Sequence, residues 1–216
     1  MSATKKQPVT HDIGMRISWN NRPVLSVRPE VSDAKMGLPG ADVSWKVRRN
    51  NMKDVCSSCH ADGWIENWYV QYDALIELYN EKYGKAGMKL MEAAQPLLNP
   101  VKFSNKLDFI WFELWHHEGR RARHAAAMQG PDYTHWHGTY ELARNFYTHM
   151  LPELEELYEE GLHSEDADRV AAAENLRKVI DEVLNDDNHK WFLGIVDPED
   201  KARRDAARKE FQDRYK

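Results

Sequence analysis

A mainly α-helical fold is predicted for this chain by three features of its sequence. Beyond residue 60, apolar and aromatic residues recur at three- and four-residue spacings, which is the period of an amphipathic helix. Glycine and proline separate these periodic segments, as they do where helices end. Proline and glycine also recur through residues 1–50, which predicts extended segments and turns there. We therefore expect antiparallel helices after an irregular N-terminal arm.

The elements can be assigned in order along the chain. In the arm, Val24-Leu25-Ser26-Val27 is a candidate short strand. Gly84 and Gly87 are expected to separate the first two helices, and Pro152 to kink or divide the fourth. The last helix is expected to turn Ala206 inward together with Phe211. The predicted helices cover residues 63–83, 87–97, 104–128, 136–161, 165–185 and 198–215.

Composition limits the possible functions. The chain is 42% hydrophobic and 30% charged, as in a soluble globular protein. Its net charge of −5 argues against nucleic acid and anionic membrane surfaces as partners. No apolar run is long enough to span a membrane, and the first residues lack the apolar run of a secretory signal. Eight Trp, nine Tyr and six Phe suit either an aromatic core or the walls of a flat cofactor.

Both cysteines of the chain lie in one pentapeptide, Cys56-Ser57-Ser58-Cys59-His60. Cys-x-x-Cys-His is the attachment signature of haem c, in which two thioethers hold one porphyrin edge and the histidine ligates the iron. A thioredoxin-like redox pair is disfavoured because no βαβ pattern surrounds the motif. Zinc is disfavoured because a second cysteine pair is missing. The sequence thus predicts one covalently attached haem c.

A second axial ligand could come from several residues. Five histidines fall within 22 residues, and His11 lies upstream; they are His116, His117, His124, His135 and His137. His117 and His124, seven apart, share a helix face, whereas His116 is turned by about 100° from its neighbour. Met128 and Met150 are alternatives that would raise the potential. The spacing alone does not choose among them.

A basic segment follows this pair of histidines. Residues 118–124 read Glu-Gly-Arg-Arg-Ala-Arg-His. Arginine is well shaped to clamp the propionates of a haem. An equally good interpretation is a solvated basic helix face.

Two of these segments carry a resemblance to a known family. Residues 115–124 (WHHEGRRARH) and 130–138 (GPDYTHWHG) closely resemble the C-terminal region of hydroxylamine oxidoreductase, a family of octahaem cytochromes c. Shorter matches lie at residues 8–12, 16–23, 37–40 and 80–84. The resemblance extends over roughly residues 5–160.

The resemblance implies a multihaem cytochrome c fold, a homotrimer and specific residue roles. Family members carry seven electron-transfer haems with two histidine ligands each and one catalytic haem. Tyr133 would be crosslinked to the catalytic haem of a neighbouring subunit. His60 would be the proximal ligand of the last haem, and His124 and His11 would be distal ligands. Residues 1–62 would form the arm with the haem motif, residues 163–216 the C-terminal helices, and residues 63–162 the haem-packing and trimerisation region.

The chain departs from the family in holding one Cys-x-x-Cys-His motif rather than eight. The attachment motif of the catalytic haem is missing. We therefore expect the C-terminal part of a longer protein, made by a split gene or a truncated reading frame. Haem c is attached outside the cytoplasmic membrane, so a periplasmic location is expected despite the missing signal.

The expected function is electron relay, with Tyr133 contributed in trans, during oxidation of hydroxylamine or hydrazine. The implied partners are further haem-bearing chain, an electron-accepting cytochrome and a small nitrogen substrate. One alternative is part of an ammonia-forming nitrite or hydroxylamine reductase, which retention of Tyr133 disfavours. Another is a monohaem electron-transfer module or an inactive fragment.

Overall fold

A computed structural model of the chain describes residues 45–127 and 130–214. These residues are mainly helical and contain no strand, which confirms the mainly α prediction. The candidate strand at residues 24–27 lies outside the described residues. The α-helices are α1 (Trp45–Cys56), α2 (Asp62–Leu78), α3 (Lys85–Ala94), α4 (Lys106–Phe112), α5 (Gly119–Ala127), α6 (Pro131–Tyr133), α7 (Glu141–Asn145), α8 (Leu151–Leu162), α9 (Ala167–Asn185) and α10 (Pro198–Arg214).

Wider π-helical segments join several of these helices end to end. They are Tyr79–Gly84, Glu113–Glu118, Thr134–Tyr140 and Phe146–Met150. The residues on either side of each segment keep right-handed helical dihedrals. Three long helices result: the α2–α3 helix, the α4–α5 helix and the α6–α8 helix. Short 3₁₀ turns lie at Gln95–Leu97 and Lys190–Leu193.

The predicted break at Gly84 and Gly87 is wrong, because the α2–α3 helix continues through both residues. Gly87 has a packing role instead. A Cβ added there would lie 2.1 Å from the ring of Trp111, so the absence of a side chain lets the α4–α5 helix approach closely. The buried Gly84 ends the π-helical segment rather than the helix.

The α6–α8 helix begins at Pro131, five residues before its predicted start at residue 136. Pro152 lies in the first turn of α8, directly after the π-helical segment Phe146–Met150. Proline cannot donate a backbone hydrogen bond and crowds the preceding turn. The wider segment provides room for the ring, so the helix changes its hydrogen-bond register at Pro152 without dividing.

The main core lies between α3, α8 and α9. α8 and α9 are joined by only four residues and run antiparallel as a helical hairpin. The helical spacing of six apolar residues predicts a stripe on α9: Val170, Leu176, Val179, Ile180, Val183 and Leu184. This stripe faces the core, where Leu176 and Ile180 are fully buried in one cluster with Leu90 and Leu154. Val183 and Leu184 are also buried, and Val170 and Val179 are partly buried.

Both ends of the described chain differ from the prediction. The segment from Trp45 onward is helical rather than irregular, because α1 packs on α2: Arg49 donates two hydrogen bonds to Asp73, at 2.6 and 2.8 Å.

In α10, Ala206 and Phe211 are exposed rather than inward, and none of its described residues is buried. Ion pairs one turn apart, such as Arg214 with Glu210, support this polar helix instead.

A close approach between two helices joins α5 to the segment Thr134–Tyr140. A Cβ built on Gly138 would lie 2.5 Å from the Cα of Ala122 and 2.7 Å from its Cβ. Contact this close requires glycine, because the neighbouring atom is backbone that cannot rotate away. The Gly138–Ala122 contact therefore sets the distance between the α4–α5 and α6–α8 helices.

Substitution of this glycine should destabilise the chain. Gly138→Ala is expected to lower the free energy of unfolding by about 1–3 kcal/mol, since overpacking outweighs the gain in helix propensity. Gly63→Ala is the matched control, because a Cβ at Gly63 meets nothing within 4 Å. That variant should be neutral or more stable by up to about 1 kcal/mol. Urea unfolding of both variants measures the difference; equal effects would contradict the packing argument.

A buried histidine fastens the segment before α10 to the core. His189 is 1% exposed. Its Nε2 donates to the carbonyl of Lys82 at 2.8 Å, so Nδ1 accepts a hydrogen bond from the hydroxyl of Tyr147, also at 2.8 Å. Burial lowers the pKa of His189, the charge of Lys82 adds to this, and Asp186 and the Lys82 carbonyl oppose it. The imidazole is therefore neutral in the folded chain.

This geometry predicts a loss of stability in acid. Above pH 6.5 both states hold a neutral imidazole; below it the unfolded state takes up a proton that folded His189 resists. The free energy of unfolding should therefore fall with decreasing pH, by up to about 1.4 kcal/mol per unit, until the lowered folded pKa is reached. Urea unfolding at pH 5–8 should show this slope reduced in His189→Gln. The exposed-site control His149→Gln should keep it; a wild-type slope in His189→Gln would refute the assignment.

Candidate functional site

The Cys-x-x-Cys-His motif forms a single helical turn that extends α1. The amide of His60 donates to the carbonyl of Cys56 at 2.9 Å, and the amide of Cys59 donates to the same oxygen at 3.0 Å. Residues three and four positions apart are neighbours on a helical surface. The turn therefore groups the two cysteines and the histidine on one side of the chain.

The three side chains have different surroundings. Cys56 is buried among Met52, Ile65 and Tyr69, and burial raises the pKa of its thiol. Cys59 is exposed. The imidazole of His60 stacks on the indole of Trp64, with ring centroids 4.3 Å apart and planes 15° from parallel. Trp64 thereby restricts the rotation of His60.

A cavity of about 830 Å³ begins at this indole. One wall is a face of α2, with Trp64, Asn67, Trp68, Gln71, Tyr72, Leu75 and Leu78. The other wall comes from the end of α5 and the start of the α6–α8 helix, with Ala126, Gly130, Pro131, Thr134, His135 and Thr139. Its volume and aromatic lining are those of a site for a large, flat organic ligand.

These residues fit a c-type haem. Two thiols and an imidazole occupy one turn, and the adjoining cavity is aromatic on one side. His135 provides an imidazole on the cavity lining, and the buried hydroxyl oxygen of Thr134 has no hydrogen-bond partner. The motif itself does not line the cavity, which begins at Trp64 beside His60. The buried thiol of Cys56 and the imidazole of His60 would therefore have to rotate to reach a porphyrin there.

A second, smaller cavity of about 340 Å³ brings together several of the other site residues expected from the sequence. It is lined by His116, His117, Arg120, Arg121, His124, Ala125 and Tyr133. All three histidines reach it, although a regular helix would turn His116 away. The π-helical segment Glu113–Glu118 changes the register here, so the sequence spacing alone was misleading.

Tyr133 and His124 thus lie together, and neither lines the cavity beside His60. The ring of Tyr133 is half exposed and packs at 5.0 Å from that of His137. Partial burial, followed by the positive charges of Arg120 and Arg123, lowers the pKa of His124. His124 is therefore a neutral imidazole near neutral pH.

The remaining candidate ligands are distributed elsewhere. His137 lies 3.4 Å from Glu141. Met150 is fully buried in the main core and cannot reach either cavity without unpacking it. His11 and Met128 lie outside the described residues. Among residues 45–127 and 130–214, no three His, Cys, Asp or Glu side chains are assembled as a metal site, and no helix is long and apolar enough to cross a membrane.

A buried polar centre behind the second cavity was not expected from the sequence. Arg123 is 5% exposed and lies over the ring of Tyr79, 4.0 Å from its centroid. Glu118 is equally buried and accepts a hydrogen bond from Asn145 at 2.9 Å. Burial raises the pKa of both Tyr79 and Glu118. The basic segment is therefore divided, with Arg123 inside and Arg120 in solvent.

The two thiols should differ in reactivity. Iodoacetamide is expected to modify Cys59 at least about tenfold faster than Cys56, because Cys56 is buried and its thiolate is disfavoured. Peptide mass spectrometry over a time course measures both rates in the chain without attached haem. In urea the rates should converge, which serves as the control. Equal rates in the folded chain would show that Cys56 is not buried in solution.

Comparisons with protein-family models, with curated proteins and with solved structures give no match to this chain.

Proposed function

We propose that this chain is the haem c-binding portion of a hydroxylamine oxidoreductase-like multihaem cytochrome and relays electrons through a haem on Cys56, Cys59 and His60. The observation that carries the proposal is the attachment motif folded as one turn beside an aromatic cavity of about 830 Å³. The choice of family rests on the resemblance of residues 115–124 and 130–138 to hydroxylamine oxidoreductase. Its multihaem fold, its trimer and its periplasmic location belong to the same proposal.

Attachment at this turn needs no redox partner. Each thiol adds across one vinyl group: a C–S bond forms to one vinyl carbon, and the thiol hydrogen goes to the other. The exposed Cys59 is the thiol that is accessible first. Cys56 follows by rotating away from Met52 and Ile65. His60, on the same turn, would supply an imidazole ligand to the iron, and its stack on Trp64 restricts its orientation.

His135 is the candidate for the opposite axial position. Among the histidines predicted as ligands, it is one that lines the cavity beginning at Trp64. His124 lines the other cavity with Tyr133, so as a ligand it would serve a different haem.

The chain's own contribution to electron relay is to bind the haem and to cover part of its surface. When bound, the haem supplies a one-electron couple whose potential is set by its axial ligands and their surroundings. Trp64, Trp68 and Tyr72 form an aromatic wall against which one face of the haem would pack. Two imidazole ligands leave no open position for substrate, which suits relay rather than catalysis.

Tyr133 is proposed to act in trans at the catalytic haem of a neighbouring subunit, as the resemblance implies. Its half-exposed ring near the start of the α6–α8 helix is accessible to such a partner. Hydroxylamine or hydrazine would be oxidised there, at a haem that this chain does not attach. Electrons would leave to an acceptor cytochrome.

A monohaem electron-transfer module is the second candidate. It is favoured by the single attachment motif in the sequence. The two proposals differ in what a haem-loaded chain does when the remaining haem-bearing chain is present. Neither predicts that the isolated, loaded chain oxidises hydroxylamine. Only the first predicts a covalent tyrosine–haem adduct at Tyr133 when the remaining haem-bearing chain is present, and peptide mass spectrometry detects that adduct.

The direct test is haem loading of the full chain. The chain is fused to an export signal and produced with a c-type haem maturation system. One covalent haem per chain is expected by mass spectrometry and by the pyridine haemochrome spectrum. Cys59→Ser and Cys56→Ser should each lose the two-thioether spectrum. A folded chain that acquires no covalent haem would end the proposal.

A pair of variants tests whether His135 is the second ligand of the haem iron. His135→Ala should keep the covalent haem but convert the low-spin spectrum to one that binds carbon monoxide, because an axial position opens. His137→Ala removes a nearby histidine that pairs with Glu141 and does not line the cavity, so it should stay low-spin. A low-spin His135→Ala spectrum identical to the wild type would exclude His135 as the ligand.

A further inference from the structure

The small cavity beside Tyr133 has an unusual concentration of cationic and hydrogen-bonding groups. Six of the seven side chains that line its 340 Å³ are histidine, arginine or tyrosine, and none is acidic. This occurs in a chain whose net charge is −5. Arg120 and Arg121 are the fixed positive charges of the lining, and they favour an anionic occupant.

The charges in this cavity are incompletely neutralised. Arg121 forms an ion pair with Glu141, with 3.2 Å between a guanidinium nitrogen and a carboxylate oxygen. Arg120 has no acidic partner among the described residues, and it is exposed at the rim. The buried Nδ1 atom of His116 has no hydrogen-bond partner. The cavity thus offers a free guanidinium, an unpaired ring nitrogen and a phenol to one occupant.

We propose that this cavity is an anion-binding site that takes an oxyanion or carboxylate beside the phenol of Tyr133. Arg120 supplies the charge and a fork of N–H donors, which match two oxygens of such a group. The hydroxyl of Tyr133 supplies a further donor. The site stands on residues 116–133 alone and is independent of haem attachment at Cys56 and Cys59.

The chemistry of the lining argues against other occupants. A hard cation would require oxygen ligands from carboxylates, which are missing from the lining. A transition metal would require converging ligands, and no such group of three is assembled in the described residues. An apolar ligand would leave Arg120 and His116 desolvated and unpaired, which costs more than its own burial returns.

The anionic group could reach the cavity from two sources. It could be a free inorganic oxyanion, or it could be a carboxylate carried on a larger flat molecule such as a porphyrin. Both present two or more oxygens in the geometry that a guanidinium binds. The half-exposed position of Tyr133 leaves the mouth open to either.

Titration of the full 216-residue chain tests the site. The signals are the Arg120 Nε and histidine ring nitrogens in heteronuclear NMR, titrated at constant ionic strength and pH. The probes are inorganic phosphate, a water-soluble dicarboxylate porphyrin and its dimethyl ester. Saturable shifts at the cavity residues are expected for phosphate or for the dicarboxylate, and not for the ester.

Matched variants assign the binding. Arg120→Gln should weaken anion binding about tenfold, and Tyr133→Phe should weaken it severalfold, by loss of a charged and a neutral hydrogen bond. Arg208→Gln makes the same charge change on the exposed α10 and should leave affinity unchanged. Because Arg120 and Tyr133 are surface side chains, unfolding curves of these variants should match the wild type.

Each outcome decides the proposal. Phosphate binding that depends on Arg120 supports the site and a free oxyanion as its source. Binding of the dicarboxylate alone supports a carboxylate source. Equal binding of the dimethyl ester, equal weakening by Arg208→Gln, or no saturable shift with any probe would overturn it.

Discussion

Both candidate sites depend on the close contact between Gly138 and Ala122. This contact fixes α5 against the start of the α6–α8 helix, and those two segments line both cavities. α5 supplies Ala126 to the large cavity and Arg120 to the small one. A wider separation would shift His135 away from α2 and Tyr133 away from Arg120. Glycine at position 138 is therefore a structural requirement of both sites, although it touches no ligand.

The buried centre of Arg123 and Tyr79 adds a second constraint. It attaches α5 to the α2–α3 helix, while Glu118 and Asn145 attach the α4–α5 helix to α7. Removing one partner of a buried charge leaves the other desolvated, so such a centre tolerates little relative movement of its helices. The π-helical segments make this convergence possible, because each turns residues inward that a regular helix would direct elsewhere.

The sequence predicted the helices well where periodicity and packing agree. The stripe of α9 followed from spacing, and the extent of the α4–α5 helix followed from the start signal at residues 104–107 and the stop signal at Gly130-Pro131. Gly84 and Gly87 were misread as breaks because sequence cannot distinguish a glycine that ends a helix from one that admits Trp111. Phe211 was placed inward because an isolated aromatic on a charged helix looks like an anchor. α1 depends on its pairing with Asp73, which is distant in sequence.

The sequence identified the individual residues of the candidate sites but not which of them lie together. The motif at Cys56–His60 is local, so its spacing was sufficient to place it. The division of the histidines between two cavities depends on the register change at Glu113–Glu118 and on the Gly138 contact, which have no signature in the spacing. That division has a functional consequence. His135 lines the cavity that begins at Trp64 beside His60, and Tyr133 lines the other, so substitution of Tyr133 should leave the lining of the larger cavity unchanged. The haem site and the contribution in trans that we propose are therefore compatible within one small helical domain, because its helix crossings keep the two cavities apart.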